Sequence, residues 1–245
     1  MSGQVRRLHA PDLPAAGGDL VLPGDVARHA RTVLRLLVGD RVRLFDGNGR
    51  EADATLLEVG AETVRCRADA PVEVDAEVAR ITLIQCLPKG SKIDDIVRMA
   101  TELGVHAIHL ATSERSVPVL GDRAARRTER LSRIAQEAAR QSGRATIPEV
   151  IEPRPLRDVT AAVPKAHARL VFWEMHRGGA DVPAEAKDLA LVIGPEGGLS
   201  EGEVAPLVDD GWSLAGLGPT VLRVETAGPV AVAVVRDRLG RGPGF

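Results

Sequence analysis

The stretch Leu191–Ser200 reads LVIGPEGGLS. An apolar run stops at Gly194, and one carboxylate, Glu196, stands amid bare backbone. Read backward, LALVIG (189–194) has the unbroken apolar character of a strand buried on both faces of a parallel sheet. Read forward, Ser200 and Glu203 spell the S-x-x-E box that opens a helix. Strand, glycine turn and helix in that order are the unit of an α/β domain.

The same rhythm extends through most of the chain. RITLIQCL (80–87), HAIHLA (106–111), RLVFWE (169–174) and SLAGL (213–217) read as further strands. Between the first two, SKIDDIVRMATELGV places Ile93, Ile96, Val97, Ala100 and Leu103 on one helical face. Ser91 is the expected N-cap, Asp94 the capping-box acid and Gly104 the stop. An arginine-rich helix is expected over 122–142, and a last, apolar helix over 225–239. Residues 1–75 differ. A short helical stretch, PGDVARHARTVLRL, precedes segments that alternate apolar and polar residues, and DGNG (46–49) is a hairpin signal. The reading is a small β-barrel domain over 1–75 and an α/β domain over 76–245, with the boundary in PVEVDAEVAR (71–80).

Bulk properties narrow the function. With 245 residues, 44% of them apolar, the chain can bury a sizeable core. The net charge of −2 excludes a general polycation, so nucleic acid must be held by local patches. Tyrosine is absent, and three Phe and two Trp are too few for a stacked-aromatic RNA platform. Cys66 and Cys86 lie in apolar runs without metal-ligand neighbours, as expected of reduced core thiols in a cytoplasmic protein. No stretch resembles a signal peptide or a membrane span. His106 and His109 are three apart on a strand and point to opposite faces, so no metal site is expected. Trp212 is expected in the core, and Trp173 in the core or against a loop.

A second glycine-rich stretch, GLGPTVLRVETAG (216–228), resembles the first in character. Each could be a tight strand-to-helix turn or a ligand loop. Neither is a Walker loop, since no lysine follows, and neither is a dinucleotide fingerprint, since GLGPTV lacks the third glycine.

Taken in order, PKGSKIDDIVRMATELGV, SERS, EAARQSGR, LVIGPEGGLSEGEV and LGPTVLRVETA resemble the bacterial 16S rRNA (uracil-N3)-methyltransferase family, within the SPOUT superfamily of trefoil-knotted methyltransferases. HARTVLRLLVGDRVRLFDGNG resembles that family's PUA-like domain, and the resemblance covers nearly the whole chain. It implies S-adenosylmethionine as cofactor, held by three knotted loops. In this chain they would contribute Phe172 and Glu174; then Ile193, Gly194, Pro195, Glu196, Gly197 and Gly198; then Leu217, Gly218, Leu222 and Ala227. Glu196 or Glu225 would favour the sulfonium. The substrate implied is N3 of one uridine in 16S rRNA of the small ribosomal subunit. Arg223 would steady charge on a uracil carbonyl oxygen, and Glu225 or Thr226 would take or relay the N3 proton.

Between Glu114 and Arg144, eight arginines face four acids. This is either a solvated helix with pairs such as Glu129–Arg133 and Glu137–Gln141, or a phosphate-binding surface. The family's QSGR motif favours RNA contact by Arg144 and Gln141. Arg115, Lys89 and Lys92 are further candidates, with Arg6, Arg7, Arg31 and Arg35 in the first domain. The apolar last helix, with Val230, Val232, Val234 and Val235, implies burial against the domain or a partner, and the resemblance implies a homodimer. Thr220 stands where many members carry a second arginine, which bears on the loop's RNA contacts. Leu131 and Leu8 replace a frequent Trp and a usual Phe, as packing substitutions. The alternatives are a SPOUT ribose 2′-O-methyltransferase and a non-catalytic RNA-binding assembly factor.

Overall fold

The structure is a computed structural model that describes residues 5–60, 62–74, 79–116 and 122–240. It divides into two units: the described residues of Met1–Ala76 with Gln136–Ile147, and those of Glu77–Ala135 with Pro148–Phe245. The expected boundary at 75/76 lies outside the described residues.

In the first unit the strands are β1 (Arg6–His9), β2 (Gly18–Val21), β3 (Arg41–Phe45), β4 (Arg50–Val59), β5 (Val64–Ala68) and β6 (Val72–Glu73), with helix α1 (Gly24–Thr32) after β2. They form one sheet in the order β1-β3-β4-β5-β2, with β6 paired to β4. Alternation does the sorting: Val64, Cys66 and Ala68 of β5 face inward while Arg65 and Arg67 face out. Leu8, Val42, Leu44 and Leu56 meet Ala27 and Ala30 of α1 in the core. The DGNG turn joins β3 and β4 as expected. Gly47 and Gly49 take positive φ, and buried Asp46 accepts from the Asn48 and Arg50 amides at 2.8 and 3.0 Å. The segment 136–147, which the sequence reading kept with the second domain, packs in this unit. The reason is local: Gly49 N donates to Ala145 O at 3.2 Å, and Ile147 N donates to Gly47 O at 2.9 Å.

The second unit holds β7 (Arg80–Cys86), α2 (Lys92–Glu102), β8 (Ala107–Thr112), α3 (Asp122–Ser142, its last turns in the first unit), β9 (Glu149–Pro155), α4 (Leu156–Ala161), β10 (Ala168–Phe172), β11 (Asp188–Ile193), α5 (Glu201–Asp209), β12 (Ser213–Ala215) and α6 (Val224–Arg238). The sheet order is β12-β10-β11-β7-β8-β9, and every pairing is parallel. One face carries α2 and α6, where Gly228 of α6 lies against Leu83, Gln85 and Ile96. The other face packs Ile84, Cys86, Val171 and Val192 against Val159 of α4, Val204 and Leu207 of α5, and Trp212. Burial on both faces explains the unbroken apolar runs of β7 and β11. Leu8 and Leu131 are fully buried.

The capping box at Ser200 and Glu203 is complete. The one expected at Ser91 is not. Ser91 occupies the N-cap position, but at φ −97°, ψ 3° it is outside the extended region from which a hydroxyl reaches the helix amides, and its side chain makes no capping bond. Asp94 pairs with Arg130 instead.

Candidate active site

Strands β12, β10 and β11 are neighbours, and Ala215, Phe172 and Ile193 sit in register at their carboxyl ends. Ligands in open α/β sheets bind at such ends. Three loops leave from there and enclose a cleft of about 360 Å³. All twelve residues put forward for the cofactor line it, from Phe172 and Glu174 through the Ile193–Gly198 turn to Leu217, Gly218, Leu222 and Ala227. Arg223 and Glu225 also line it; Thr226 does not. Trp173, His176, Thr220 and Val221 line it as well. His176 and Val221 carry no periodic signal in the sequence, because both lie in loops.

Two glycines make the close packing of these loops physically achievable. A Cβ on Gly216 would lie 2.4 Å from the His176 carbonyl oxygen and 2.5 Å from that of Gly178. Gly198 has φ +69°, and a Cβ there would lie 1.7 Å from Glu174 Oε1. Trp173 braces the turn from behind, its Nε1 donating to Leu199 O at 3.1 Å. Arg115, expected at the RNA, packs on Gly197 and donates to its carbonyl oxygen, and so supports the Ile193–Gly198 turn.

Three carboxylates reach the cleft in different electrostatic states. Glu196 accepts from Lys92 Nζ at 2.9 Å and from the Lys89 amide at 3.1 and 3.2 Å. Burial pushes its carboxyl up, but Lys92 and the amide bonds outweigh burial and hold it below the usual range. Its charge is therefore shared with Lys92, whereas the sequence offered it as an acid beside the sulfonium. Glu174 has no hydrogen-bond donor among the described residues. Glu225 holds Oε2 shielded from water and without a partner, and its Oε1 is 3.9 Å from Arg223 Nη1. Arg223 itself is 87% exposed. The cleft thus offers Glu174, with no cation or donor on it among the described residues, and Glu225, whose one ion pair is long and leads to an exposed arginine, a setting suited to a small cationic ligand.

The residues expected at RNA fall into two groups. Arg6, Arg31, Arg35 and the side chain of Lys89 are exposed, and Arg35 adopts φ 53°, the sole positive φ outside glycine among the described residues. The others are engaged. Arg7 pairs with Glu51, lies 5.1 Å over the Phe45 ring and donates to Arg144 O at 2.9 Å. Arg144 donates to Thr146 Oγ1 at 2.7 Å, and Gln141 to Glu137 Oε1 at 3.0 Å. Lys92 is held by Glu196. On α3 the Glu129–Arg133 and Glu137–Gln141 pairs are both present, while Arg123 and Arg126 remain exposed. Among the described residues no group of three His, Cys, Asp or Glu could hold a metal ion, and no helix is long and apolar enough to cross a membrane.

Two family models match the chain: an RNA methyltransferase domain over residues 75–236 and an RNA methyltransferase PUA domain over residues 22–69. Ribosomal RNA small subunit methyltransferase E of Mycobacterium bovis is 36% identical over 230 residues, 91% of this chain and 88% of that protein. Its namesake in Bacillus subtilis is 31% identical over 225 residues, 87% and 88% of the two chains. Among solved structures, ribosomal RNA small subunit methyltransferase E of Neisseria gonorrhoeae bound to S-adenosyl methionine superposes with a TM-score of 0.89 at 30% identity, over 96% of this chain and 98% of that one. A Legionella pneumophila methyltransferase in complex with the same cofactor gives 0.88 at 30% identity, with the same coverage.

Proposed function

The chain belongs to the ribosomal RNA small subunit methyltransferase E family, and from that premise we propose that it transfers a methyl group from S-adenosylmethionine to N3 of one uridine in 16S rRNA. The observation that carries this reading is the cleft at the ends of β10, β11 and β12, lined by glycines and by the carboxylates of Glu174 and Glu225. Its volume lies within the range of small-molecule sites, about 300–1,000 Å³.

The residues fit the cofactor. Gly218 lines the cleft where a Cβ would meet nothing within 4 Å, so main chain is open to an adenosyl group there, and Leu217, Leu222 and Phe172 supply apolar walls. Glu174 and Glu225 supply negative charge for a sulfonium. When bound, S-adenosylmethionine supplies an electrophilic methyl group. The chain has to orient the uracil and remove its N3 proton. We assign Glu225 Oε2 as the proton acceptor, since it is screened from water and has no competing donor; general-base help is worth about 10²–10⁴-fold. Arg223 is assigned to the charge that develops on the neighbouring uracil oxygen, a contribution of about 10²–10³-fold. Thr226 is assigned no more than a supporting place in proton relay, because its side chain is outside the cleft lining.

The substrate reading includes RNA contact by Arg6, Arg31 and Arg35, which have charge to spare. It also includes a trefoil knot through the three cleft loops, a cytoplasmic location, and a homodimer. Support for the dimer comes from α6, which leaves Val230, Ala233 and Val234 half-buried in the single chain. The test is methyl transfer to unmodified small ribosomal subunits by Glu225→Gln and Arg223→Ala. Both should lower kcat by about 10²-fold or more, with S-adenosylmethionine affinity unchanged in Arg223→Ala and weakened in Glu225→Gln. Wild-type rates in both variants would refute the assignment.

A further inference from the structure

Gln85 interrupts an otherwise aliphatic strand. It is the penultimate residue of β7, pairs with Ile193 of β11, and is fully buried. Its Nε2 donates to Cys86 O at 3.0 Å and to Gly194 O at 3.4 Å. Those two carbonyls fix which end of the amide faces them, since only the NH₂ end can donate. The Oε1 atom then points at α6, where a Cβ on Gly228 would lie 2.8 Å from it, and it has no hydrogen-bond partner. Leu83 and Ile96 surround the same spot.

An orphaned carbonyl in an aliphatic layer destabilises a fold, and an apolar side chain of the same shape would remove that cost. The amide has to be explained by what it touches. On one side is Gly194, the first residue of the cofactor turn. On the other is α6, one turn after Glu225. Gln85 therefore spans the two walls of the cleft from beneath without lining it.

We propose that Gln85 is a positioning residue for the cofactor cleft: its amide holds the Gly194 carbonyl and abuts Gly228, setting the spacing between the Ile193–Gly198 turn and the start of α6. This rests on the cleft being the S-adenosylmethionine site. A wall displaced by a fraction of an ångström weakens ligand geometry far more than it weakens the fold.

The test compares wild type with Gln85→Met, which keeps length and removes both polar atoms, by calorimetric titration with S-adenosylmethionine and by thermal unfolding. Gln85→Met should unfold within about 4 °C of wild type, because relief of the orphaned carbonyl offsets the donor that Gly194 and Cys86 lose, and it should bind about tenfold more weakly or worse. Binding within twofold of wild type would overturn the proposal. So would a fall in unfolding temperature beyond about 4 °C that accompanies the loss of binding, because that is the mark of a structural role. Should Gln85→Met not fold, Gln85→Glu decides. A buried carboxyl keeps a donor only while it is neutral, so its affinity should approach wild type in acid and fall as pH rises, relative to the wild-type profile. An affinity that tracks wild type at every pH would overturn the proposal. Absence of binding by the wild type would instead remove the cofactor reading itself.

Discussion

Gly198→Ala perturbs the cleft at one atom. The residue sits at φ +69°, where a side chain costs about 1 kcal/mol. The new Cβ would lie 1.7 Å from Glu174 Oε1, 2.4 Å from its Cδ and 2.7 Å from its Oε2. That obstacle is the end of a flexible side chain, so the fold survives and Glu174 swings away. The stability loss should be about 1–2 kcal/mol, or about 2–8 °C in a chain of this length. If Glu174 carries charge complementarity for the cofactor, its displacement removes a charge-assisted contact worth about 1.5–3 kcal/mol. This corresponds to about 10- to 150-fold in Kd. Titration calorimetry on Gly198→Ala, Glu174→Gln and the double variant separates the causes. The double variant should bind no more weakly than Gly198→Ala, because both changes abolish one interaction. Affinity of Gly198→Ala within threefold of wild type would refute the reasoning, as would losses that add in full.

Asp46 is 2% exposed and anchors the DGNG turn. Burial pushes its carboxyl up, but the Arg50 and Asn48 amides and the Arg50 guanidinium outweigh burial and hold it below its ordinary value. A lowered folded-state value gives stability that is present above the unfolded value and is lost as pH falls through the folded one. Asp46→Asn should therefore cost about 1–3 kcal/mol between about pH 5 and 8, and the deficit should shrink below about pH 4, as read by denaturant unfolding. Burial pushes the Cys66 thiol up to about 11 and the Cys86 thiol up to about 12. Neither should react with a thiol reagent at about pH 8 in the native protein, and both should react in denaturant; native-state labelling of Cys86 would contradict its burial.

Helix α3 spans the residues expected of it, because its limits are set locally, by an apolar stripe and by Gly143 at φ +81°. The Ser200–Glu203 box was equally legible, being complete within four residues. Strand β9 was not. Its sequence, EVIEPRP, carries Pro153 and Pro155, which exclude a central strand but are tolerated at the sheet edge it occupies. The six-residue helix α4 is too short to show a period. The Ser91 cap failed because a favourable residue type does not fix the backbone angles that aim its hydroxyl.

The site was legible only through its motifs. Its loops converge because β12, β10 and β11 are adjacent in the sheet, and strand order leaves no trace in periodicity. The contacts that set its electrostatics join distant residues: Lys92 to Glu196 across 104 positions and Arg115 to Gly197 across 82. Glu196 looked like a free acid and is neutralised; Arg7 looked like a free base and is held by Glu51 and Phe45. Gln85 passed unremarked within RITLIQCL, because its neighbours are visible only once β7, β11 and α6 are stacked.

The decisive quantity is the identity of the nucleoside that receives the methyl group. Unmodified small ribosomal subunits are incubated with the protein and methyl-labelled S-adenosylmethionine, the 16S rRNA is digested, and the labelled nucleoside is identified by mass spectrometry. The expected product is 3-methyluridine, formed about 10²-fold more slowly when Glu225→Gln replaces the wild type. A label on ribose 2′-oxygen would contradict the assignment to N3, and cofactor binding without any transfer to the small subunit would contradict the assignment of 16S rRNA as substrate.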